Sequence, residues 1–284
     1  MSVDIVSVIV KAIGYMALLQ AVGVTLFLAL FESVLDRSVA VVRKVGVASA
    51  LASICAVLCF HLLEAARMTG EYAAVADGLL QSRVLSSALG ATTALRVLGA
   101  LLMGLGLLWA SRTNLLLSIV GATLAATSFL LVGHTVTHSP RWALLPLLEF
   151  HVLVVAFWFG SIMPLALIAQ REPAAIAHRV VAQFSGVAAL LVPAMAVAGL
   201  GLTFILTDGR YSLAEPYSAS LTAKVALLLL ALILAALNRW RFGPALQAGS
   251  SQAVRSFSLS LALEYVLLVT IVVVTATLTN LFSP

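Results

Sequence analysis

The stretch that decides the fold is residues 142–169, WALLPLLEFHVLVVAFWFGSIMPLALIA. Its only ionisable side chains are Glu149 and His151, and the rest of the stretch is almost continuously apolar. A helix that spans a membrane needs about twenty consecutive apolar residues, whereas a strand of a membrane barrel alternates apolar and polar residues over about ten. The stretch therefore predicts a transmembrane helix.

Seven further apolar runs of similar length predict the rest of the bundle. They cover residues 5–31, 44–66, 86–110, 113–134, 180–207, 218–240 and 256–280. Of the 284 residues, 62% are hydrophobic and 10% are charged, against about 25% charged in an ordinary soluble domain. We expect an all-α, polytopic integral membrane bundle of eight transmembrane helices in one domain, residues 1–284. Residues 69–85, the longest of the outer connections, are expected to form a short helix at the membrane interface.

The orientation follows from the uneven distribution of Lys and Arg between the spans. The odd-numbered connections hold Arg37, Arg43, Lys44, Arg112, Arg171, Arg179, Arg239, Arg241 and Arg255. The even-numbered connections hold Arg67, Arg83, Arg141 and Arg210. Because connections rich in Lys and Arg stay in the cytoplasm, both termini are expected outside.

Several functions are excluded by what the sequence lacks. The formal charge is +5, but no basic block suggests a nucleic-acid partner. No zinc-protease, nucleophile-elbow or nucleotide-binding motif is present, and the aqueous segments are short, so we expect no enzymatic activity. Cys55 and Cys59 lie one turn apart inside an apolar run, about 160° around the helix from His61, which predicts that they pack as small apolar residues.

Four of the five histidines map to the outer half of the predicted bundle. They are His61, His134, His138 and His151, whereas His178 maps to the cytoplasmic side. His61, Glu64 and Met68 follow the spacing i, i+3 and i+7, which predicts that they share one helix face. Intramembrane ionisable residues are costly in lipid and therefore indicate function or pairing.

The chemistry of these side chains leaves three interpretations open. Imidazole, thioether and carboxylate ligands suit copper in its two common oxidation states. Two imidazoles that face each other across a bundle would instead suit a b-type haem, and hydrogen-bonded histidines at helix ends can be purely structural.

Three further charged residues lie inside predicted spans: Arg96, Lys224 and Glu264. Because Arg96 and Glu264 both map well inside the bundle, we expect them to pair between helices as a structural lock; the alternative is a role in proton or ion movement. Lys224 lies about seven residues from the outer end of its span and could extend its amine to the interface.

Four stretches of the C-terminal half carry a resemblance to a known family. They are EFHVLVVAFWFGSIMPLAL (149–167, after Gly133 and His134), FSGVAALLVPAMAVAGL (184–200), LTAKVALLLLALILAALNRWRFGPAL (221–246) and SFSLSLALEYVLLVTIVVVTATLTNL (256–281). With a looser match at 86–98, SSALGATTALRVL, the chain resembles the CopD family of bacterial inner-membrane copper proteins over about residues 86–281.

The resemblance implies a protein that takes up copper from the periplasm, beside a small periplasmic copper-binding partner of the CopC type. The family motif falls on His134, His151, Trp158, Gly160, Pro164, Lys224, Asn238, Arg239 and Glu264. His134 and His151 are therefore the first candidates as copper ligands, followed by His61, Met68 and His138 and then by Glu64. The rival interpretations are a b-type haem electron carrier and an assembly factor that delivers copper to a cuproenzyme.

Overall fold

The computed structural model describes residues 2–109, 111–133, 141–206 and 216–281, and over these residues it is helical with no strand. The helices are α1 Val3–Phe31, α2 Val39–Thr69, α3 Gly78–Leu85, α4 Ala88–Leu108, α5 Arg112–Thr127, α6 Arg141–Arg171, α7 Ala174–Leu206, α8 Pro216–Leu237 and α9 Ser251–Leu281. All except α3 belong to the eight segments that are long and apolar enough to cross a membrane. The predicted all-α bundle of eight spans is confirmed.

Short polar side chains begin several of these helices. Ser2, Ser87 and Ser111 each accept a hydrogen bond from a backbone N–H in the first turn of α1, α4 and α5. Asp77 does the same for α3, where it accepts from the backbone N–H groups of Leu79 and Leu80. The caps satisfy backbone N–H donors in the first turn that have no partner within the helix.

The short helix expected within residues 69–85 is present as α3, Gly78–Leu85.

Helix α1 lies in the middle of the bundle, in contact with α2, α4, α5, α6 and α9. It approaches α6 closely where Gly23 faces Gly160. A Cβ atom built on Gly160 would lie 2.6 Å from the Cα of Gly23, so only glycine fits at this crossing. Small residues let the helix backbones approach closely, which is a common source of helix association in membranes.

A second glycine contact joins α4 to α5. A Cβ on Gly99 would lie 2.6 Å from the carbonyl oxygen of Gly121, and Gly106 faces Ser118. The glycine-rich run at 99–106 thus serves close contact between these two helices.

The two ends of the chain meet at one end of the bundle, called here the terminal end. Arg67 of α2 forms an ion pair with Glu64 at 2.7 Å, approaches Asp4 at 3.8 Å and donates to the backbone oxygen of Asn280. The sequence predicts that this end faces the periplasm.

At the opposite end of the bundle, Glu172 connects the end of α6 to the start of α2. Its Oε1 accepts backbone hydrogen bonds from Asp36, Arg37 and Ser38, at 3.2, 2.8 and 2.7 Å, just before α2 begins. Burial would raise the pKa of the Glu172 carboxyl, but the hydrogen bonds from Ser38, Arg37 and Asp36 outweigh burial and hold the pKa below its usual value. The ionised carboxylate is therefore the form that the fold favours.

Helix α8 is the least buried span, and it packs mainly against α9 with only sparse contact to α7. It does not end in an ordinary turn, because Asn238–Phe242 forms a π-helical turn that runs into a short helical segment, Gly243–Ala245. Single π turns are frequent at functional sites.

Candidate functional site

The most enclosed acidic side chain of the described bundle is Glu264 of α9, which is 3% exposed. The indole Nε1 of Trp158 in α6 donates to its Oε1 at 2.6 Å, and Nδ2 of Asn238 donates to its Oε2 at 2.6 Å. Both carboxylate oxygens are thus fixed by neutral donors from two other helices. No cation within the described residues forms an ion pair with Glu264.

The π turn explains how Asn238 reaches this carboxylate. Asn238 is the first residue of the turn and is itself 7% exposed, with its Oδ1 left without a hydrogen-bond partner. A π turn changes the direction in which successive side chains leave a helix. Asn238 consequently points its amide into the bundle, while Trp240 in the same turn is largely exposed.

His151 lies on the same α6 face as Trp158, two turns closer to the terminal end, because seven residues span about 10 Å of helix. Its Nδ1 lies 3.2 Å from the backbone oxygen of Met195 in α7. A carbonyl oxygen only accepts hydrogen bonds, so this contact places the proton on Nδ1 and leaves the lone pair on Nε2. Metal-binding histidines are commonly held in this way.

Room for the imidazole comes from Gly199, one turn beyond Met195 on α7. A Cβ on Gly199 would lie 3.0 Å from Cε1 of His151, so a larger residue would press on the ring. Lys224 of α8 is half-buried and lies within electrostatic range of His151. The imidazole therefore faces the side of the bundle where α7 and α8 are only loosely packed.

His61 belongs to a different interface, between α2 and α4. It is 8% exposed, and its Nδ1 lies 3.2 Å from the hydroxyl oxygen of Thr93. A hydroxyl both donates and accepts, so this contact does not fix the ring tautomer. Because α2 does not pack extensively against α6 or α7, His61 and His151 are held in separate interfaces.

Glu64 and Met68, the two predicted ligands that share α2 with His61, have other surroundings. Glu64 is engaged by Arg67, and Met68 is 58% exposed near the end of α2. His134 and His138 lie outside the described residues. Within the described residues, no group of three or more His, Cys, Asp and Glu side chains is arranged to hold a metal ion. The ligand set therefore stays a prediction.

The predicted lock between Arg96 and Glu264 is wrong. Arg96 donates from Nε to the hydroxyl of Ser128 at 3.0 Å and stacks on the ring of Phe129, while Glu264 is bound by Trp158 and Asn238. The physical reason is that α1 runs between the two helices, with Tyr15 beside Arg96 and Gln20 beside Tyr265.

The cysteines do not join the His61 contacts. Cys55 and Cys59 are both exposed on the lateral surface of the bundle. In a spanning helix that surface faces lipid, where a thiol behaves as a small apolar group.

Two charged or polar residues of α1 were missed by the sequence reasoning. Lys11 and Tyr15 lie next to Arg96, and Lys11 stands eight residues into the first apolar helix. The rule that singled out Arg96 and Glu264, that a charge inside a span is costly, also applies to Lys11.

Two family models of copper resistance proteins match parts of the chain. The family model described as "Copper resistance protein D-like, N-terminal domain" matches residues 1–143, and the model described as "Copper resistance protein D" matches residues 178–278. The first match extends to the two spans that the quoted motifs left out. No curated protein and no solved structure matches the chain.

Proposed function

The chain belongs to the copper resistance protein D (CopD) family of multi-pass membrane proteins, and on that premise we propose that it carries copper ions inward from the periplasm across the bacterial inner membrane. The ion is the cargo, and no reaction is catalysed on it. A small periplasmic protein of the CopC type is the proposed copper donor at the terminal end.

The observation that carries the proposal is the uncompensated carboxylate of Glu264. A carboxylate enclosed in a membrane bundle is costly unless a cation neutralises it or it takes up a proton. Trp158 and Asn238 orient its oxygens but supply no positive charge. A copper ion or a proton that passes through the bundle would supply that charge.

The orientation of His151 supports a copper entrance on the side of Glu264 that faces the terminal end. The carbonyl of Met195 orients the ring so that Nε2 remains free to bind a metal, and an imidazole nitrogen suits either oxidation state of copper. His151 and Trp158 share one face of α6, so an ion leaving the imidazole would have about 10 Å to travel before it reaches the level of Trp158 and Glu264.

The position of Lys224 supports weak binding of the copper ion at His151. A cation close to the imidazole repels a second positive charge, which weakens binding there and favours onward movement. Movement through a bundle requires such sites to bind weakly enough for release.

The test measures copper accumulation in cells that express the protein or its Glu264→Gln variant at equal membrane levels. Glutamine keeps the shape and one of the two acceptor oxygens but removes the negative charge, so we expect copper accumulation to fall to that of cells without the protein. Glu71→Gln, at an exposed position between α2 and α3, is the matched control and should accumulate copper like wild type.

Two results would overturn the proposal. Accumulation that is unchanged in Glu264→Gln would show that the carboxylate has no part in transport. Wild-type cells that gain no copper, while one copper enzyme loses activity in cells without the protein, would instead support a delivery factor.

A further inference from the structure

A small cleft at the terminal half of the bundle lies between α1, α2 and α4, away from Glu264. Its walls include Lys11 and Tyr15 of α1, Phe60 of α2, and Thr93 and Arg96 of α4. The space inside is about 10 Å³, which is about enough for a single water-sized occupant.

Two cations face this cleft from different helices. Arg96 is 6% exposed; its Nε donates to Ser128, but its Nη2 has no hydrogen-bond partner. Lys11 donates from Nζ to the backbone oxygen of Thr279 at 2.8 Å, which uses one of its three protons. Tyr15 also hydrogen-bonds the Arg96 side chain, so the donor of Arg96 that is left without an acceptor is Nη2.

The described residues supply no carboxylate to balance these two charges. The acidic residue within electrostatic range of Lys11 is Glu64, which already forms an ion pair with Arg67 at 2.7 Å. Arg96 forms no ion pair in the described part of the chain.

Aromatic rings compensate only part of this charge. The Arg96 guanidinium lies 4.5 Å from the centre of the Phe129 ring, and Lys11 Nζ lies 5.5 Å from the centre of the Phe60 ring. Such contacts offset only a small part of the cost of enclosing an unpaired cation. The arrangement is stabilised fully only when a negative charge joins it.

We propose that this cleft binds one small inorganic anion, such as chloride, between Lys11 and Arg96. A halide is larger than a water molecule, so the flexible Lys11 side chain must shift outward to admit it to this space. The halide then accepts hydrogen bonds from several directions and balances one of the two charges, and sulfate, which is larger still, is expected to be excluded. The proposal is independent of copper transport, because none of its residues contacts Glu264 or His151.

The test is equilibrium binding of radioactive chloride to the full-length protein, purified in detergent, with gluconate keeping the ionic strength constant. We expect saturable binding of about one chloride per chain, displaced by bromide and not by sulfate. Lys11→Met should lower the affinity at least tenfold, and Arg96→Gln should abolish binding. Arg83→Gln removes an exposed arginine on α3 and should bind like wild type.

Arg96→Gln could lower binding through misfolding, so Lys11→Met decides the outcome, provided that its thermal unfolding matches that of wild type. Absence of saturable chloride binding in wild type would overturn the proposal, as would wild-type affinity in Lys11→Met. An ultraviolet tyrosinate signal at neutral pH that disappears in Tyr15→Phe would also overturn it, because Tyr15 itself would then be the anion.

Discussion

Trp158 and Glu264 are joined by a hydrogen bond of 2.6 Å from the indole nitrogen to the carboxylate, which links α6 to α9 inside the bundle. A hydrogen bond to a charged group contributes about 1.5–3 kcal/mol to the free energy of unfolding. A carboxylate in an enclosed site that loses such a bond cannot replace it by a hydrogen bond to water. The contact therefore both holds two helices together and fixes the direction of the carboxylate.

Replacing Trp158 by Phe should destabilise the protein by about 1–3 kcal/mol, because the variant keeps an aromatic ring but removes the donor to Glu264. Thermal unfolding in detergent measures the change. Trp142→Phe is the control, since Trp142 is 81% exposed, and it should leave the unfolding temperature unchanged. Equal effects of the two substitutions would show that the indole contact adds nothing to stability.

Replacing His151 by Ala should lower the copper bound by the purified protein, because it removes the imidazole whose Nε2 is left free by the contact to Met195. Copper titration followed by elemental analysis measures it. His178→Ala removes an imidazole that makes a similar contact, to the backbone oxygen of Gly243, at the opposite end. The ligand assignment fails if His151→Ala binds as much copper as His178→Ala.

Replacing Gly160 by Ala should destabilise the bundle by at least about 1–3 kcal/mol, since the new Cβ would lie 2.6 Å from the Cα of Gly23 and force α1 and α6 apart. Gly186 of α7 is the matched control, because a Cβ there meets nothing within 4 Å. Gly186→Ala should be neutral or slightly stabilising, by up to about 1 kcal/mol. Similar unfolding temperatures for the two variants would contradict the close contact.

Long apolar runs let the sequence predict the eight spans, because the bilayer fixes the length of a spanning helix and leaves little freedom in its composition. The contact between the glycines at 99–106 and α5 follows a similarly general rule, since small residues in a spanning helix let neighbouring backbones approach closely. Partner choice could not be predicted in the same way. Arg96 and Glu264 have opposite charges and similar depth, but only the helix packing shows that α1 separates them.

The candidate site was predictable in part. Trp158, Asn238 and Glu264 were quoted from the family motif, yet nothing in the sequence indicates that they contact one another. Asn238 reaches Glu264 through a π turn, a local departure from helix geometry that hydrophobic periodicity does not reveal. Lys11, in contrast, could have been found from sequence by its charge alone.

The Glu172 carboxyl should make stability depend on pH at the opposite end of the bundle. Its pKa is lowered in the folded protein, so its stabilising contribution is fully present above the ordinary glutamate pKa and is lost as the pH falls through the lowered folded value. Unfolding temperatures of wild type and Glu172→Gln, measured from neutral pH to about pH 3, should differ at neutral pH and converge in acid. A difference that stays constant over that range would contradict the linkage.

The most direct test of the copper account is the copper and iron content of the purified protein, measured by elemental mass spectrometry before and after incubation with Cu(I) and Cu(II). The account predicts bound copper that falls in the His134→Ala and His151→Ala variants and no stoichiometric iron. Stoichiometric iron without copper would contradict it, because the histidines would then hold haem, and the chain would carry electrons instead of copper ions.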